Sequence, residues 1–535
     1  MKQTWIAACA LDLLSFGCSN GSNGGGGTGG TPAVVCDDID EGMRVLWGET
    51  HVHTRLSLDA FWFNSLTGTR EAYQFAKGGT VGVACDDRTV ACETRQLDRA
   101  LDFAAISDHA EFLGLFDEQC RRDDPAPSCS LVEQFILDNI DDLLNGNNND
   151  IVDLLLTLFP DLAPTAGIWQ QIIADAEAEN EPCEFTTFAA YEFSPLFNGS
   201  TVHRNVLFLG NALPGDVFQY TGTEDEWDFF DHLEAQCGGV DDCEYLTILH
   251  NPNLGAGRMF LPVGTDGLFA GRDNRPLTPE DAELRAKNDV VVEIQQLKGQ
   301  SECMPGFGFD GLGNDEMDMD CFFENNKPYC TGLARDSPRC LPPAETICSS
   351  ITSDPMQEAV PFSCSAPNDF MRGALAEGLK ARRVVGVNPY QFGVIAATDQ
   401  HNANPGDVRE VDYIGAAGVL DNSPEVQLGR WTCELGDPGC EDREFDPSED
   451  AYYYARVLEQ PTCRWNTRRC VTQGVNCADL DAADGTFSPE SGNAGFEGCC
   501  DITGAPGSFA GANRFDVIRE RAWTSPIWHE TLLDL

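Results

Sequence analysis

Histidines and carboxylates are concentrated in a few short motifs of the chain. Six of the eight histidines fall in these motifs, and only His232 and His529 lie elsewhere. Imidazole nitrogens and carboxylate oxygens are ligands that suit zinc, manganese and iron. The sequence therefore predicts a metal site built from residues that are far apart along the chain. The candidate residues are His51, His53, Asp59, Asp108, His109, Glu192, His203, His250, Asp399 and His401.

The motif at residues 48–53 carries two histidines separated by one residue. Alternate residues of a strand point to the same side, so His51 and His53 can bind one metal ion. Such a pair is common by chance, and a single buried histidine is usually a hydrogen-bonded core residue. Because histidine and carboxylate recur together in several motifs, a metal site is favoured over that alternative.

Short apolar runs, which predict strands, precede most of these motifs. Each run ends in or next to His, Asp or Glu, and polar or helical stretches separate the runs. In parallel α/β barrels the functional side chains come from the carboxyl ends of strands. We therefore predict an α/β domain over residues 44–535, with helices from 131–178 packed outside the barrel. The runs are 44–48, 103–107, 185–191, 206–209, 246–249, 290–294 and 393–398.

Two segments, 306–364 and 430–507, interrupt the alternation of strands and helices. Both are rich in cysteine and have little hydrophobic periodicity. We predict that they are loop-rich insertions tied by disulfides rather than independent domains.

The chain contains 23 cysteines, which predicts an oxidising compartment. Several pairs are close in sequence and suited to closing a surface loop. Structural zinc is the alternative, but the spacings do not match those of zinc ribbons. The pairs are Cys85/Cys92, Cys120/Cys129, Cys237/Cys243, Cys433/Cys440 and Cys463/Cys470.

The first 18 residues resemble a bacterial lipoprotein signal in which Cys18 is lipidated. Residues 19–43, which begin rich in Gly and Ser, predict a flexible linker. We therefore expect an exported protein, either periplasmic or anchored to the outer membrane and possibly at the cell surface. The membrane contact would be the N-terminal lipid anchor alone.

The chain has 87 acidic residues against 34 basic ones, a formal net charge of −53. This charge would repel the phosphates of nucleic acid, so we expect no nucleic-acid partner. Solubility is a simpler explanation of the charge than an acidic binding surface.

Longer motifs around the candidate ligands resemble the DUF3604 family of uncharacterised proteins. The order of histidines and carboxylates also resembles the PHP (polymerase and histidinol phosphatase) superfamily of metal-dependent phosphoesterases. The resemblance covers nearly all of residues 44–528 outside the two insertions. The motifs that carry it are GETHVH (48–53), ISDHAEFLG (106–114), HRNVLF (203–208), NPYQFG (388–393) and RAWTSPIW (521–528).

The resemblance implies a distorted (β/α)7, TIM-like barrel that binds two to three divalent metal ions, either zinc, manganese or iron. It implies that Glu192 bridges two of them, since one carboxylate can hold two cations. In this assignment the first metal is held by His51, His53, Glu192 and Asp399, the second by Glu192, His203 and His250, and the third by Asp59, His109 and His401.

The function expected from this resemblance is hydrolysis of a small anionic ester, most simply a phosphoester, by metal-activated hydroxide. Glu192, Asp399 and Asp108 are the candidate catalytic residues. Asp108 either orients a ligand or shuttles a proton, or else it bonds backbone. The alternatives are a metal hydrolase acting on a non-phosphate ester, an amide or a sulfate, and a surface binding module without catalysis.

Three further residues are candidates for substrate binding. Arg204 and Asn205 stand beside a predicted ligand, and Arg521 lies in the last of the family motifs. A guanidinium binds anions well, although Arg204 has the alternative of pairing with one of the many acids.

Overall fold

The fold is described from a computed structural model. The structure describes residues 46–63, 65, 67–84, 91–115, 117, 166–197, 200–220, 226–255, 257–260, 271–272, 275–304, 321, 366–408, 450–458, 462–463, 474, 476, 517–518 and 521–531.

The described strands alternate with helices along the first three quarters of the chain. The strands are β1 (Gly48–Glu49), β2 (Thr80–Ala84), β3 (Ala91–Gln96), β4 (Phe103–Ile106), β5 (Thr186–Phe193), β6 (Leu196–Phe197), β7 (Ser200–Thr201), β8 (Arg204–Gly210), β9 (Cys243–Leu249), β10 (Asp289–Gln296), β11 (Gly299–Gln300), β12 (Gly393–Ala396), β13 (Ala451–Tyr453), β14 (Arg456–Leu458), β15 (Thr462–Cys463), β16 (Val517–Ile518), β17 (Arg521–Trp523) and β18 (Ile527–His529). The helices are α1 (Leu58–Trp62), α2 (Thr69–Ala76), α3 (Ala166–Glu179), α4 (Glu226–Cys237), α5 (Pro279–Asn288) and α6 (Met371–Val385).

Local sequence explains where the helices begin and end. Thr278 caps α5, with its side chain accepting from the backbone of Asp281, and Pro279 occupies the first turn. α6 ends at Gly386, whose φ of +84° is the left-handed conformation that glycine adopts without strain. The described part of the predicted 131–178 helical region is α3, whose Trp169 and Ile172 are buried against the sheet.

An eight-stranded sheet lies at the centre, in the order β1-β4-β5-β8-β9-β10-β11, with β12 also paired to β10. The pairs β1–β4, β4–β5, β9–β10 and β10–β12 are parallel, as the barrel prediction requires. β8, however, runs antiparallel to both β5 and β9. The segment between β5 and β8 is too short for a crossover helix, and the chain therefore turns back.

The two edges of the sheet approach each other at one end. Val52, just after β1, forms a parallel bridge with Gln400, just after β12. The fold is therefore a mixed α/β protein with a curled half-barrel sheet of parallel and antiparallel strands. The predicted runs 103–107, 185–191, 206–209, 246–249, 290–294 and 393–398 overlap β4, β5, β8, β9, β10 and β12, and β1 overlaps the end of the run 44–48.

The C-terminal strands form three antiparallel pairs, β13–β18, β14–β17 and β15–β16. β13, β14 and β15 lie within the 430–507 segment that was predicted to be loop-rich. Strands of two or three residues contain too few alternations to show a period in the sequence. Most of that segment and of 306–364 lies outside the described residues, as do the predicted signal and linker at residues 1–43.

Glu302 joins these C-terminal strands to the sheet. Its carboxylate is fully buried and accepts hydrogen bonds from Arg372 (2.8 Å) and Arg456 (3.0 Å). The Tyr454 hydroxyl (2.7 Å) and the Trp523 indole N–H (2.7 Å) also donate to it. Four donors from three segments of the chain therefore converge on one carboxylate, which offsets the cost of burying its charge.

Two disulfides are present among the described residues. Cys237–Cys243 confirms one of the predicted pairs, and Cys303–Cys321 ties the start of the first insertion. Such bridges indicate an oxidising environment. No described helix is long and apolar enough to cross a membrane. At least one side chain of each remaining predicted pair, Cys85/Cys92, Cys120/Cys129, Cys433/Cys440 and Cys463/Cys470, lies outside the described residues.

The disulfides can be checked chemically. We expect Cys237, Cys243, Cys303 and Cys321 to resist alkylation in denatured, unreduced protein and to react fully after reduction. Peptide mass mapping without reduction should recover the 237–243 and 303–321 cross-links. Free thiols at these four positions in exported protein would contradict both the pairing and the oxidising compartment.

The Glu302 contacts predict a pH-dependent stability. Burial raises the pKa of Glu302, but Arg372 and Arg456 outweigh it and lower the pKa to about 2. The folded pKa lies below the unfolded value of ~4.3, so ionised Glu302 stabilises the fold above that value. This stabilisation is lost as the pH falls through about 2.

We expect Glu302→Gln to lower the free energy of unfolding at pH 7 by about 3 kcal/mol, measured by urea denaturation. The difference from wild type should shrink as the pH falls below ~4.3. Glu181→Gln, at a half-exposed side chain that pairs with Lys77, is the control and should have little effect. Equal stability of the Glu302 variant and wild type at pH 7 would contradict this role.

Candidate metal centre

The predicted ligands lie together at one end of the curled sheet. His51 and His53 follow β1, His109 follows β4, and Glu192 is near the end of β5. His203 precedes β8 rather than following it. Because β8 is antiparallel to β5, its beginning lies at the same end of the sheet as the carboxyl end of β5.

Backbone hydrogen bonds between the two sheet edges hold the histidine motif against the Asp399 loop. The His53 amide donates to the Gln400 carbonyl (2.8 Å), and the Asp399 amide donates to the His51 carbonyl (2.9 Å). The Ala403 amide donates to the His53 carbonyl (3.1 Å). Asp399 and Ala403 have φ of +55° and +56°, in the left-handed region that is unfavourable for residues with a Cβ. The surrounding hydrogen bonds hold both residues in this conformation.

Glu192 is the centre of the cluster and is fully buried. One carboxylate oxygen lies 3.3 Å from His51 Nε2 and 3.2 Å from His203 Nδ1. The other lies 2.7 Å from His109 Nδ1 and 3.7 Å from His53 Nε2. A carboxylate whose two oxygens face different imidazoles has the arrangement expected of a bridge between two cations.

Asp59, in the first turn of α1, lies at the more accessible side of the cluster. One of its oxygens is 3.1 Å from His109 Nε2 and 2.9 Å from His401 Nε2. The Asp59 side chain is 37% exposed and that of His109 is 14% exposed, whereas Glu192 and Asp399 are buried. A small molecule can therefore reach the cluster from this side.

Four of the imidazoles are oriented by acceptors outside the cluster. His51 Nδ1 donates to Glu293 (2.8 Å), and His53 Nδ1 donates to the Ser57 hydroxyl (2.9 Å). The His250 and His401 Nδ1 atoms lie 2.9 and 2.7 Å from backbone carbonyls. With Nδ1 as donor, Nε2 of each ring is left to face the cluster as an acceptor, which is how metal-binding histidines are held.

The inward-facing nitrogens fit a cation better than they fit one another. His51 Nε2 and His53 Nε2 are 3.1 Å apart, so two acceptor nitrogens face each other there unless a proton or a cation lies between them. His203 Nε2 is buried without a hydrogen-bond partner among the described residues. A cation placed between His51 Nε2 and His53 Nε2 would satisfy both.

The ligand atoms fall into four groups, and within each group they lie within 4.8 Å of one another. Each group can hold a metal ion. All nine predicted ligands are included. The predicted set of Glu192, His203 and His250 is divided between two groups that share Glu192. His250 lies with His51 in one group, and His203 lies with His109 in the other. The groups are His53–Asp59–His109–His401, His51–His53–Asp399, His51–Glu192–His250 and His109–Glu192–His203.

Electrostatics prepares several residues for metal binding. Burial lowers the pKa of His53 and His250 well below the usual range, so both rings are neutral, the form that binds metal. Burial raises the pKa of Glu192, but His109 and His203 outweigh it and hold the pKa well below its usual range. Burial also lowers the pKa of His51, but Glu293 and Glu192 raise it to about 9. A cation therefore competes with a proton for His51 at neutral pH.

Asp108 holds the loop that carries His53. Its carboxylate accepts from the Thr54 amide (2.6 Å), the Thr54 hydroxyl (2.8 Å) and the Ser57 hydroxyl (2.8 Å). Ser57 in turn accepts from His53, so a continuous chain of hydrogen bonds runs from Asp108 to the imidazole. Both predicted roles, bonding backbone and orienting a ligand, are therefore seen.

The residues predicted to bind substrate lie elsewhere or behind the ligands. Arg204 is 1% exposed and pairs with Asp289 at 3.0 Å. Such pairing with an acid is the alternative to substrate binding that the sequence left open. Asn205 is buried and donates to Glu293 (3.2 Å), so it orients the acceptor of His51. Arg521 lies on β17, opposite Leu458.

Three residues of the centre were absent from the sequence prediction. Glu293 orients His51, as described above. Gln296 donates to Asp399 (2.8 Å) and lies 3.0 Å from His250 Nε2. The Lys298 ammonium contacts Asp399 and lies 3.5 Å from His250 Nε2. Glu293 lies inside the predicted run 290–294, so its position at a strand end was a usable signal, whereas Gln296 and Lys298 had none.

Comparison with known proteins places the chain in one family. No curated protein and no solved structure matches it. The family model described as "Protein of unknown function (DUF3604)" matches residues 40–329, 341–438 and 429–484, which include every residue of the metal centre. Since these segments cover well over half of the sequence, the chain belongs to the DUF3604 family.

Proposed function

We propose that this protein is a metal-dependent hydrolase, and specifically a phosphoesterase related to the PHP superfamily. The observation that carries the proposal is the position of Glu192, whose two oxygens face different imidazoles. The sheet supports a distorted (β/α)7 barrel only in part, since β8 is antiparallel. The ligand types suit two to three ions of zinc, manganese or iron.

The residues of the centre have separable roles in this proposal. When bound, divalent cations act as Lewis acids on the ester and make water a better nucleophile at neutral pH. Glu192 and Asp399 supply negative charge that holds cations close together. Asp108, through Ser57, keeps the His53 ring in place, and Glu293 does the same for His51. Asp59 and His109 line the accessible side, where a small anionic ester enters.

The proposed location is outside the cytosol. The disulfides support an oxidising compartment. The lipoprotein-like signal ending at Cys18 supports export and a lipid anchor as the membrane contact. A periplasmic or outer-membrane-anchored enzyme of this kind would meet small esters from the environment.

One prediction from the proposed function concerns metal content. Because the groups around Glu192 and Asp399 share few ligands with the Asp59 group, we expect at least two transition-metal equivalents per chain after expression in metal-replete medium. Elemental analysis of purified protein measures this directly. Less than one equivalent would contradict the metal centre.

Another prediction from the proposed function separates catalysis from metal or ligand binding alone. Glu192→Gln keeps the side-chain volume but removes the charge that holds two cations together. We expect turnover of chromogenic phosphate mono- and diesters to fall more than ~100-fold, a barrier increase of about 3 kcal/mol. The variant should also bind less metal, while its melting temperature stays close to that of wild type.

His232→Gln is the matched control, because His232 packs beside Phe218 and lies outside every ligand group. It should keep wild-type turnover. If Glu192→Gln also keeps it, Glu192 does not act as a bridge. If wild-type protein with bound metal hydrolyses no ester in the panel, a non-catalytic binding module is favoured.

A further inference from the structure

Lys298 lies in the tight turn between β10 and β11, at the end of the sheet where the metal ligands meet. Its backbone is held on both sides. Its amide donates to the Gln296 side chain (2.8 Å), and its carbonyl accepts from the Asn253 amide group (2.8 Å). The backbone from which the Lys298 side chain extends is therefore held in position by hydrogen bonds.

The Lys298 ammonium reaches the ligands themselves. It contacts Asp399 and lies 3.5 Å from His250 Nε2. The side chain is nevertheless 28% exposed, whereas Asp399 and His250 are fully buried. Lys298 thus extends from the solvent edge to the buried ligands.

We propose that the Lys298 ammonium binds an anionic oxygen of the substrate while the ester lies at the metal centre. The assigned substrate class is then an ester with a charged tetrahedral oxyanion, either phosphate or sulfate, and not a neutral ester or amide. This inference rests on the proposed function and deepens it. A lysine ammonium is a compact point charge that commonly binds phosphate.

Because the whole chain is strongly negative, a positively charged residue is needed near the site to attract an anionic substrate. A net charge of −53 repels an approaching anion, and the ligand carboxylates add to this repulsion near the site. Gln296 already donates to Asp399 at 2.8 Å, so the carboxylate keeps a hydrogen-bond donor when the ammonium turns toward a substrate. Oδ2 of Asp399, the oxygen that Lys298 contacts, therefore keeps a donor when the ammonium turns to another anionic partner.

The competing explanation is that Lys298 only neutralises Asp399. A purely structural ion pair would change metal content or thermal stability when removed, but would leave oxyanion affinity alone. Affinity for a free oxyanion therefore separates the two roles, and it is measured without any turnover.

The test compares zinc-loaded wild type with Lys298→Met, which keeps the apolar stem, and Lys298→Arg, which keeps the charge. Lys380→Met is the control, because Lys380 is 46% exposed on α6 and pairs with Glu377. Inorganic phosphate and sulfate are titrated into each protein by calorimetry. Metal content and melting temperature are recorded for all four proteins.

We expect Lys298→Met to bind the preferred oxyanion about 10- to 100-fold more weakly, with Lys298→Arg in between and Lys380→Met unchanged. KM for an aryl phosphate or aryl sulfate should rise most for Lys298→Met and less for Lys298→Arg, and it should not change for Lys380→Met. The oxyanion that wild type binds more tightly identifies phosphate or sulfate as the recognised group.

Each contrary result has a distinct meaning. Phosphate-ester hydrolysis by wild type, with unchanged oxyanion affinity in a metal-replete Lys298→Met variant, overturns the role of Lys298 and leaves the hydrolase proposal standing. Hydrolysis of neutral esters alone also overturns it. Lysine-dependent oxyanion binding without any hydrolysis supports the anion site and overturns the hydrolase.

Discussion

The burial of Glu192 is the constraint on which the rest of the site depends. A carboxylate with no exposure costs several kcal/mol to desolvate unless positive charge surrounds it. Here the neighbours are imidazoles, which are weak bases, and several of their Nδ1 protons point outward to other acceptors. Glu293 and Ser57 hold two of these rings in that orientation. The centre is thus arranged around a negative charge, with ligand groups that could hold a metal ion.

Strand direction determines which residues can join this centre. Parallel strands bring their carboxyl ends to one edge, and His109 and Glu192 arrive there in that way. The antiparallel β8 begins at that same edge, so it places His203 there before the strand starts, and β9 returns with His250 at its end. One reversal in the sheet therefore brings two histidines to the centre from a single pair of neighbouring strands.

Sequence reasoning found the ligands because histidine is rare in this chain and stood next to apolar runs. It placed the strands well, but a lone apolar run carries no information on direction, so the reversal at β8 was invisible. Lys298 and Gln296 were missed because their residue types are ordinary on surfaces. From the sequence, Arg204 could either bind substrate or pair with an acid, and only its contacts in the structure separate these two roles. Arg204 pairs with Asp289.

The bridge between Val52 and Gln400 has a consequence for how the molecule matures. Thr398 and His51 are 347 positions apart, so Asp399 and His401 join the centre from a segment made much later in synthesis. Closing so long a loop is slow, because its entropy is lost before any contact compensates for it. The ligands of the two sheet edges therefore come together late in folding.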